Sequence, residues 1–309
     1  MAFKMTGIDI SSYQGNPDFR QVKAAGWDFV LHKVTEGHTF KDPRAAQNIP
    51  AAKAAGLHVG VYHFMRARDE ATAAQEADFF IATLKPFLPL DMPVALDVEG
   101  YSFSSAFTRD TLRKCAMVII NKLLAANFYV VLYCNKDYAV NVFDIKQRPR
   151  DYGRVGIWYA YPNGNAGLVD DTGPLGREAG IIQYFWKGKI PGIVGDVDLD
   201  ASRYDYPGII KAQGQNGYTK PPVIKSDTSG VLKMAKNGVY QLKTNGPEGV
   251  KVVSGNSADA IVIPRKHREG DADYWFIVAV GDVGSECGIY VSGPGVDSFR
   301  AFIVRVVGK

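Results

Sequence analysis

An α/β barrel followed by a small all-β domain is the fold class that this sequence of 309 residues predicts. Three observations predict it. Short apolar strands alternate with helical patterns up to about residue 210, which favours parallel βαβ units. A polar stretch, QGQNGYTKPP at 213–222, then ends in Pro221-Pro222, and both helices and strands resist that composition. Beyond it only short strands and turns follow. The expected division is therefore 1–212, a linker at 213–222, and 223–309.

The first half supplies eight strands. TGIDI (6–10) precedes the amphipathic DFRQVKAAG (18–26), and WDFVLHKVT (27–35) precedes PRAAQNIPAAKAAG (43–56). HVGVYHF (58–64) is followed by the helical 69–84. MPVALDVE (92–99) is followed by 108–127, where Thr108 is the expected N-cap of a helix with apolar residues at helical spacing. After YVVLYCN (129–135) only a short helical stretch is expected. VGIWYAY (155–161), GIIQYFW (180–186) and GDVDL (195–199) are joined by Gly/Pro/Asn-rich loops. This order predicts a closed barrel that lacks its last helices.

The second half reads as a sandwich or small barrel: GVLKMA, GVYQLK, GVKVVSG, AIVIP, YWFIVAV, CGIYVSG and FRAFIVRVV, with turns such as Thr244-Asn245-Gly246-Pro247 and Gly293-Pro294-Gly295 between them. It carries 11 basic and 9 acidic residues, so it has no strong electrostatic signature.

Composition narrows the function. The chain is 46% hydrophobic and 22% charged, which argues against wholesale disorder. A net charge of +4 is too mild for nucleic acid as the main partner. The longest apolar runs, such as 116–120, are far shorter than the roughly 18 residues of a membrane span. Residues 1–10 show no apolar segment after a basic start, so no secretory signal is expected and synthesis is assigned to a cytoplasm. Cys115, Cys134 and Cys287 read as reduced, buried small residues. The five histidines show no ligand spacing, so neither metal nor cofactor is expected.

The chemistry lies in the carboxylates. Alternate strand residues share a face, so Ala95, Asp97 and Glu99 point one way while Val94, Leu96 and Val98 point the other. Barrel enzymes keep their chemistry at the C-terminal mouth of the strands. Asp9 ends the first strand, and Asp196, Asp198 and Asp200 cluster on the last. Closure makes those strands neighbours, so Asp9 belongs beside Asp196 or Asp198. Four inward acids have no packing rationale, and their crowding raises at least one pKa, as a general acid near neutral pH requires. Paired carboxylates without metal-ligating histidines point to glycoside hydrolysis. Tyr62, Tyr133, Trp158 and Tyr184 lie at or near the same strand ends, where flat rings can stack on sugars, and Gln183 and Lys33 can hydrogen-bond a glycan. His63 reads as a structural hydrogen-bonding residue, and Arg66 and Arg68 as solvated loop charge.

Several motifs together resemble the family 25 glycoside hydrolases, the Chalaropsis-type lysozymes common among bacteriophage endolysins. They are Thr6-Gly7-Ile8-Asp9-Ile10-Ser11 with Tyr13-Gln14-Gly15, the strand at 29–37, Tyr62-His63-Phe64, Leu96-Asp97-Val98-Glu99, Gln183-Tyr184 and Val197-Asp198-Leu199-Asp200. The resemblance spans roughly residues 4–206. It implies an irregular TIM-like (β/α)5β3 barrel and four catalytic acids at Asp9, Asp97, Glu99 and Asp198. It further implies N-acetylmuramidase activity on bacterial peptidoglycan, with Glu99 as general acid and a wall-binding role for the C-terminal domain. Two positions depart from the family pattern. Asp200 stands where Asn is usual and is expected to add charge at the rim. His32 stands where an apolar residue is usual and is expected to be a wall substitution. A chitinase-like strand, D-x-x-D-x-D-x-E, is disfavoured because Met92 and Ala95 occupy its two earlier acidic positions. A non-catalytic glycan-binding or phage structural module is disfavoured by the four retained acids.

Overall fold

In the computed structural model, which describes residues 3–146, 155–162, 179–265 and 268–308, the alternating pattern of the first half closes into a barrel. Its strands are β1 (Met5–Ile10), β2 (Phe29–Glu36), β4 (His58–Phe64), β5 (Val94–Asp97), β6 (Val130–Asn135), β7 (Gly156–Ala160), β8 (Ile181–Gly188) and β9 (Val197–Ser202). The two-residue β3 (Phe40–Lys41) adds a hairpin to β2. Pairing of β1 with both β2 and β9 closes the ring. Every barrel pair from β1 through β2 to β8 is parallel, whereas β9 runs antiparallel to both neighbours.

Helices α1 (Phe19–Ala24), α2 (Ala45–Ala54), α3 (Glu70–Leu84) and α4 (Arg109–Ala125) follow β1, β3, β4 and β5, and a short π-helical turn at Tyr138–Val142 follows β6. Asp18, Asp69 and Thr108 cap α1, α3 and α4 by accepting from backbone N–H groups of the first turn. The strands that follow complete the (β/α)5β3 order. Part of the expected loop between β7 and β8, residues 163–178, lies outside the described residues.

Strand alternation sorts the side chains. Ile8, Val30, Val59, Val61, Val94, Leu96, Leu132, Ile157, Ile182 and Leu199 join the core between barrel and helices. Phe29, Leu31, Ala95, Val131, Trp158 and Ile181 fill the barrel interior. Gly60 lies on that inward face, where a Cβ would come within 2.6 Å of both Leu31 Cδ2 and the Pro93 carbonyl oxygen. His32 faces the helices, as expected of a wall residue. Its Nε2 lies 3.2 Å from Asn48 Nδ2 on α2, and burial lowers its pKa. His63 sits 3.0 Å from Glu76 on α3 and 2.8 Å from the Thr35 hydroxyl, a fully buried structural pair. The three cysteines are buried and free.

One helix was not legible in the strand-and-helix pattern. α5 (Tyr206–Gln213) plugs the barrel floor, with Tyr206 and Ile210 in the interior cluster beside Phe29, Leu31 and Met92. Its signal is local: Asp205 caps the first turn, Pro207 occupies it, and Gly214 ends it in the left-handed conformation.

The expected linker at 213–222 needs correction. Asn216 is fully buried and ties the chain to the barrel: its Nδ2 donates to the Met92 and Leu90 carbonyls at 2.9 and 3.4 Å, and its Oδ1 accepts from Tyr129 N–H at 2.7 Å. Tyr218 donates to Asp91 at 2.5 Å. Polar residues here satisfy backbone groups at the barrel floor, and the chain divides into compact units at 1–220 and 221–309. Replacing Asn216 with Ala strips partners from three buried backbone groups. A loss of about 2–4 kcal/mol is expected, read as a lower urea midpoint without a changed slope.

The second unit forms two four-stranded sheets. One has the order β10 (Lys225–Ser226), β12 (Val239–Asn245), β15 (Ala272–Ala279), β14 (Ala260–Pro264). The other has β11 (Gly230–Ala235), β17 (Val296–Val307), β16 (Glu286–Gly293), β13 (Lys251–Ser254). Leu242, Ala260 and Ile277 of one sheet and Ile289, Val291, Phe302 and Val304 of the other make a shared core. A sandwich results. Among the described residues, no helix of either unit is long and apolar enough to cross a membrane.

Candidate active site

The lumen-facing positions change character toward the mouth of the barrel. A cavity of about 250 Å³ opens there, lined by Asp9, Tyr13, Lys33, Tyr62, Phe64, Asp97, Glu99, Tyr133, Trp158, Gln183 and Asp198 together with Ile10, Ser11 and Gln14. Asp97 is the last residue of β5, and Glu99 lies two residues further along, as the chain leaves the barrel. That places Asp97 in the buried part of the lumen and Glu99 half-buried at its entrance. Asp9 and Asp198 are direct cross-strand partners of the β1–β9 pair. Asp198 reaches this mouth because β9 is antiparallel, so its N-terminal end lies with the C-terminal ends of the others. Asp196, its rival at the sequence level, is exposed and pairs with Lys189 at 2.8 Å.

Gln183 organises the lumen. Its Oε1 accepts from the Tyr133 hydroxyl at 2.9 Å and from Trp186 Nε1 at 2.8 Å. Its Nε2 therefore turns toward the acids, donating to Asp9 at 2.7 Å and to Asp198 at 3.4 Å. The amide orientation follows from two donors on one side and two acceptors on the other. Trp158 packs edge-on against Tyr62 and Tyr133 beneath the acids, with ring centroids 5.9 and 4.6 Å apart. Lys33 pairs with Glu36 at 3.2 Å and lies among the rings of Tyr13, Phe40 and Phe64.

Burial is the largest influence on every acid here. It pushes Asp9 and Asp97 well above the ordinary carboxylate range, helped at Asp9 by Asp200 and Glu99 and at Asp97 by Glu99 and Asp9. Asp198 is pushed up to about 8 by burial and by Asp9. Glu99 is also raised by burial, with Arg66 opposing the shift. Such a site holds several carboxyls and few charges, and protons leave it as a coupled set. A half-buried acid with a raised pKa is suited to general-acid catalysis.

The model of the glycosyl hydrolases family 25 matches residues 8–193. The chain belongs to glycosyl hydrolase family 25. It is 33% identical to the autolytic lysozyme of Clostridium acetobutylicum over 251 residues, 79% of this chain and 69% of that protein. Among solved structures it resembles the CTP1L endolysin, at 26% identity and a TM-score of 0.55, covering 76% of this chain and 75% of the other. A family 25 glycosyl hydrolase from Bacillus anthracis aligns with 26% identity and a TM-score of 0.54, over 65% of this chain and 90% of its own.

In this family 25 hydrolase the cavity gathers Asp9, Asp97, Glu99, Asp198, Tyr62, Tyr133, Trp158, Gln183 and Lys33. Tyr184 is the exception. It is one step out of phase with Gln183, so it points into the core outside the barrel and does not line the cavity. Asp200 also departs from expectation: it is wholly buried inside the barrel, accepting from Trp158 Nε1 at 2.7 Å, and adds nothing to the rim. The candidate residues that strand reasoning passed over, Tyr13 and Trp186, sit outside any alternating pattern. Tyr13 is 88% exposed on a single turn whose Ser11 and Gln14 form a reciprocal capping box. That Ser-x-x-Gln spacing was the available signal. Trp186 follows an irregularity in the β8–β9 register, which no pattern of alternation reveals. Arg66 is held by Glu36 at 2.6 Å and covers the Phe64 ring, so it is no free loop charge.

Proposed function

We propose that this family 25 hydrolase cleaves the β-1,4 bond between N-acetylmuramic acid and N-acetylglucosamine in bacterial peptidoglycan, as an endolysin made in the cytoplasm of a phage-infected host. The observation that carries this reading is the single cavity in which a half-buried Glu99 faces Asp97, Asp9 and Asp198 above an aromatic floor. Glu99 protonates the leaving glycosidic oxygen and afterwards takes a proton from water. The substrate's own N-acetyl oxygen attacks the anomeric carbon with retention. Asp97 orients that group: its Oδ1 is buried without a partner among the described residues, so it offers a free acceptor to the acetamido N–H. As positive charge develops on the oxazolinium, its N–H donates more strongly to the Asp97 carboxyl oxygen, and that bond stabilises the intermediate. The raised pKa values of Asp9 and Asp198 argue against either as a direct nucleophile, since a protonated carboxyl attacks poorly.

Product analysis tests the bond assignment. Borohydride reduction of digested walls should yield reduced N-acetylmuramic acid, while reduced N-acetylglucosamine as the main species would rule out a muramidase. We assign wall binding to the second unit, whose tethering raises the local substrate concentration. Truncation belongs after Lys220, not Gln213, because Asn216 and Tyr218 are part of the barrel. The truncated chain should lose sedimentation with walls and keep hydrolysis of soluble muropeptide oligomers. Unchanged sedimentation would refute the targeting role.

A further inference from the structure

Asp200 is buried in the barrel interior and has no part in the mechanism above. β9 places it on the same lumen face as Asp198, between Gly7 of β1 and Gln183 of β8 in register. Its solvent exposure is zero. One oxygen, Oδ1, accepts from Trp158 Nε1 at 2.7 Å. The other, Oδ2, has no N–H or O–H donor among the described residues. A fully buried carboxylate oxygen left bare is costly, and such groups in folded proteins almost always have a partner. Asp9 stands two residues along β1 from Gly7, the register partner of Asp200, on the same lumen face, and its carboxyl is the side chain paired with Asp200. Two acceptors can meet there only if one of them carries a proton.

We propose that Asp9 and Asp200 share a single proton, with the Asp9 hydroxyl donating to Asp200 Oδ2, which makes Asp200 the positioning residue that keeps Asp9 neutral. The neighbours fix the direction of the proton. Trp158 donates to Asp200 and favours its anion, while Gln183 Nε2 donates to Asp9 and is satisfied by the carbonyl oxygen of the acid. Around the pair stand Asp97, Glu99 and Asp198, with Tyr62, Tyr133 and Tyr184, and Lys33 at the cavity wall. Glu99 opposes ionisation of Asp9, and Asp198 opposes that of Asp200. Burial raises both Asp9 and Asp200, and repulsion from the neighbouring acids adds to it, so the pair resists giving up its last proton. The pair thereby removes one negative charge from the wall that Glu99 faces.

The consequence for turnover rests on the muramidase reading, but the protonation state can be measured without substrate. Carbon-13 NMR of aspartate Cγ in the full-length protein, with Asp9 assigned from Asp9→Asn and Asp200 from Asp200→Asn, gives the state of each carboxyl. At pH 7 the Asp9 Cγ should show the acid form, and Asp9 and Asp200 should titrate together as the pH rises. In Asp200→Asn the amide Oδ1 keeps the Trp158 bond while Nδ2 donates to Asp9, so the Asp9 resonance should move to the carboxylate form. An ionised Asp9 beside Glu99 holds the Glu99 proton more tightly. The alkaline limb of kcat/KM for soluble oligomers should then shift upward by about half a pH unit or more. An ionised Asp9 in the wild type would overturn the proposal, as would independent titration of the two residues. The wild-type titration decides this even if the variant does not fold. A protonated Asp9 persisting in Asp200→Asn would overturn it too, and an unmoved alkaline limb would overturn the positioning role. Failure of the wild type to cleave muropeptides would refute the muramidase reading and leave the NMR result standing.

Discussion

Replacing Glu99 with Gln is expected to lower peptidoglycan turnover by at least about 100-fold, the usual worth of a general acid. The substitution keeps the shape and hydrogen-bonding reach of the side chain and removes only its transferable proton. Half-burial at the entrance, with the chain already leaving β5, raises the Glu99 pKa and suits the proposed contact with the glycosidic oxygen. Sedimentation with intact walls should be unchanged, since the role proposed for Glu99 is confined to one sugar linkage. A turbidity assay on purified walls reads the loss directly. Near wild-type lysis by Glu99→Gln would remove it from the acid role and shift attention to Asp198, the other half-buried acid of the cavity.

Asp97→Asn should stabilise the fold while abolishing most of its activity. Asp97 is 5% exposed, and burial followed by Glu99 raises its pKa well above the unfolded value. The native state therefore holds a proton that the unfolded chain releases once the pH exceeds the ordinary carboxylate range. Stability linked to this group is greatest in acid and declines as the pH climbs toward its raised pKa, with a slope of up to about 1.4 kcal/mol per pH unit. Asp91 acts in the opposite sense: hydrogen bonds from His58, Tyr218 and Lys211 lower its pKa, and its contribution is lost as the pH falls. Comparing the variant with the wild type cancels Asp91. The difference in unfolding free energy should grow from near zero in acid to its largest value at alkaline pH. A difference that does not vary with pH would mean that Asp97 is ionised in the native state. The four crowded acids thus exemplify function carried at the expense of stability.

Much of the barrel was legible because its strands are buried on both faces and short, so apolar runs and turn residues mark them. Asp97 and Glu99 share a face by alternation, and helix caps such as Asp69 and Thr108 announce the elements that follow. Tyr184 was misassigned for the same reason that Gln183 was found. Proximity in sequence says that both lie near the mouth, but only the phase of β8 says that one faces the lumen and the other the helices. The segment at 213–218 was misread because Gly, Asn and Gln are frequent in tethers, yet here Asn216 hydrogen-bonds backbone groups at the barrel floor.

By itself the sequence determined the eight barrel strands, the short strands beyond residue 222, and a set of acids at the strand ends that left Asp196 and Asp198 as alternatives, because strand period and turn chemistry are local properties. The tertiary structure alone decided which acids meet and in what state. The antiparallel course of β9 set Asp198, and not Asp196, against Asp9. It also carried Asp200 out of solvent and into contact with Trp158 and Asp9. Carboxyl chemistry depends on burial and on the charges within a few ångströms, and both arise from the closure of strands far apart in the chain.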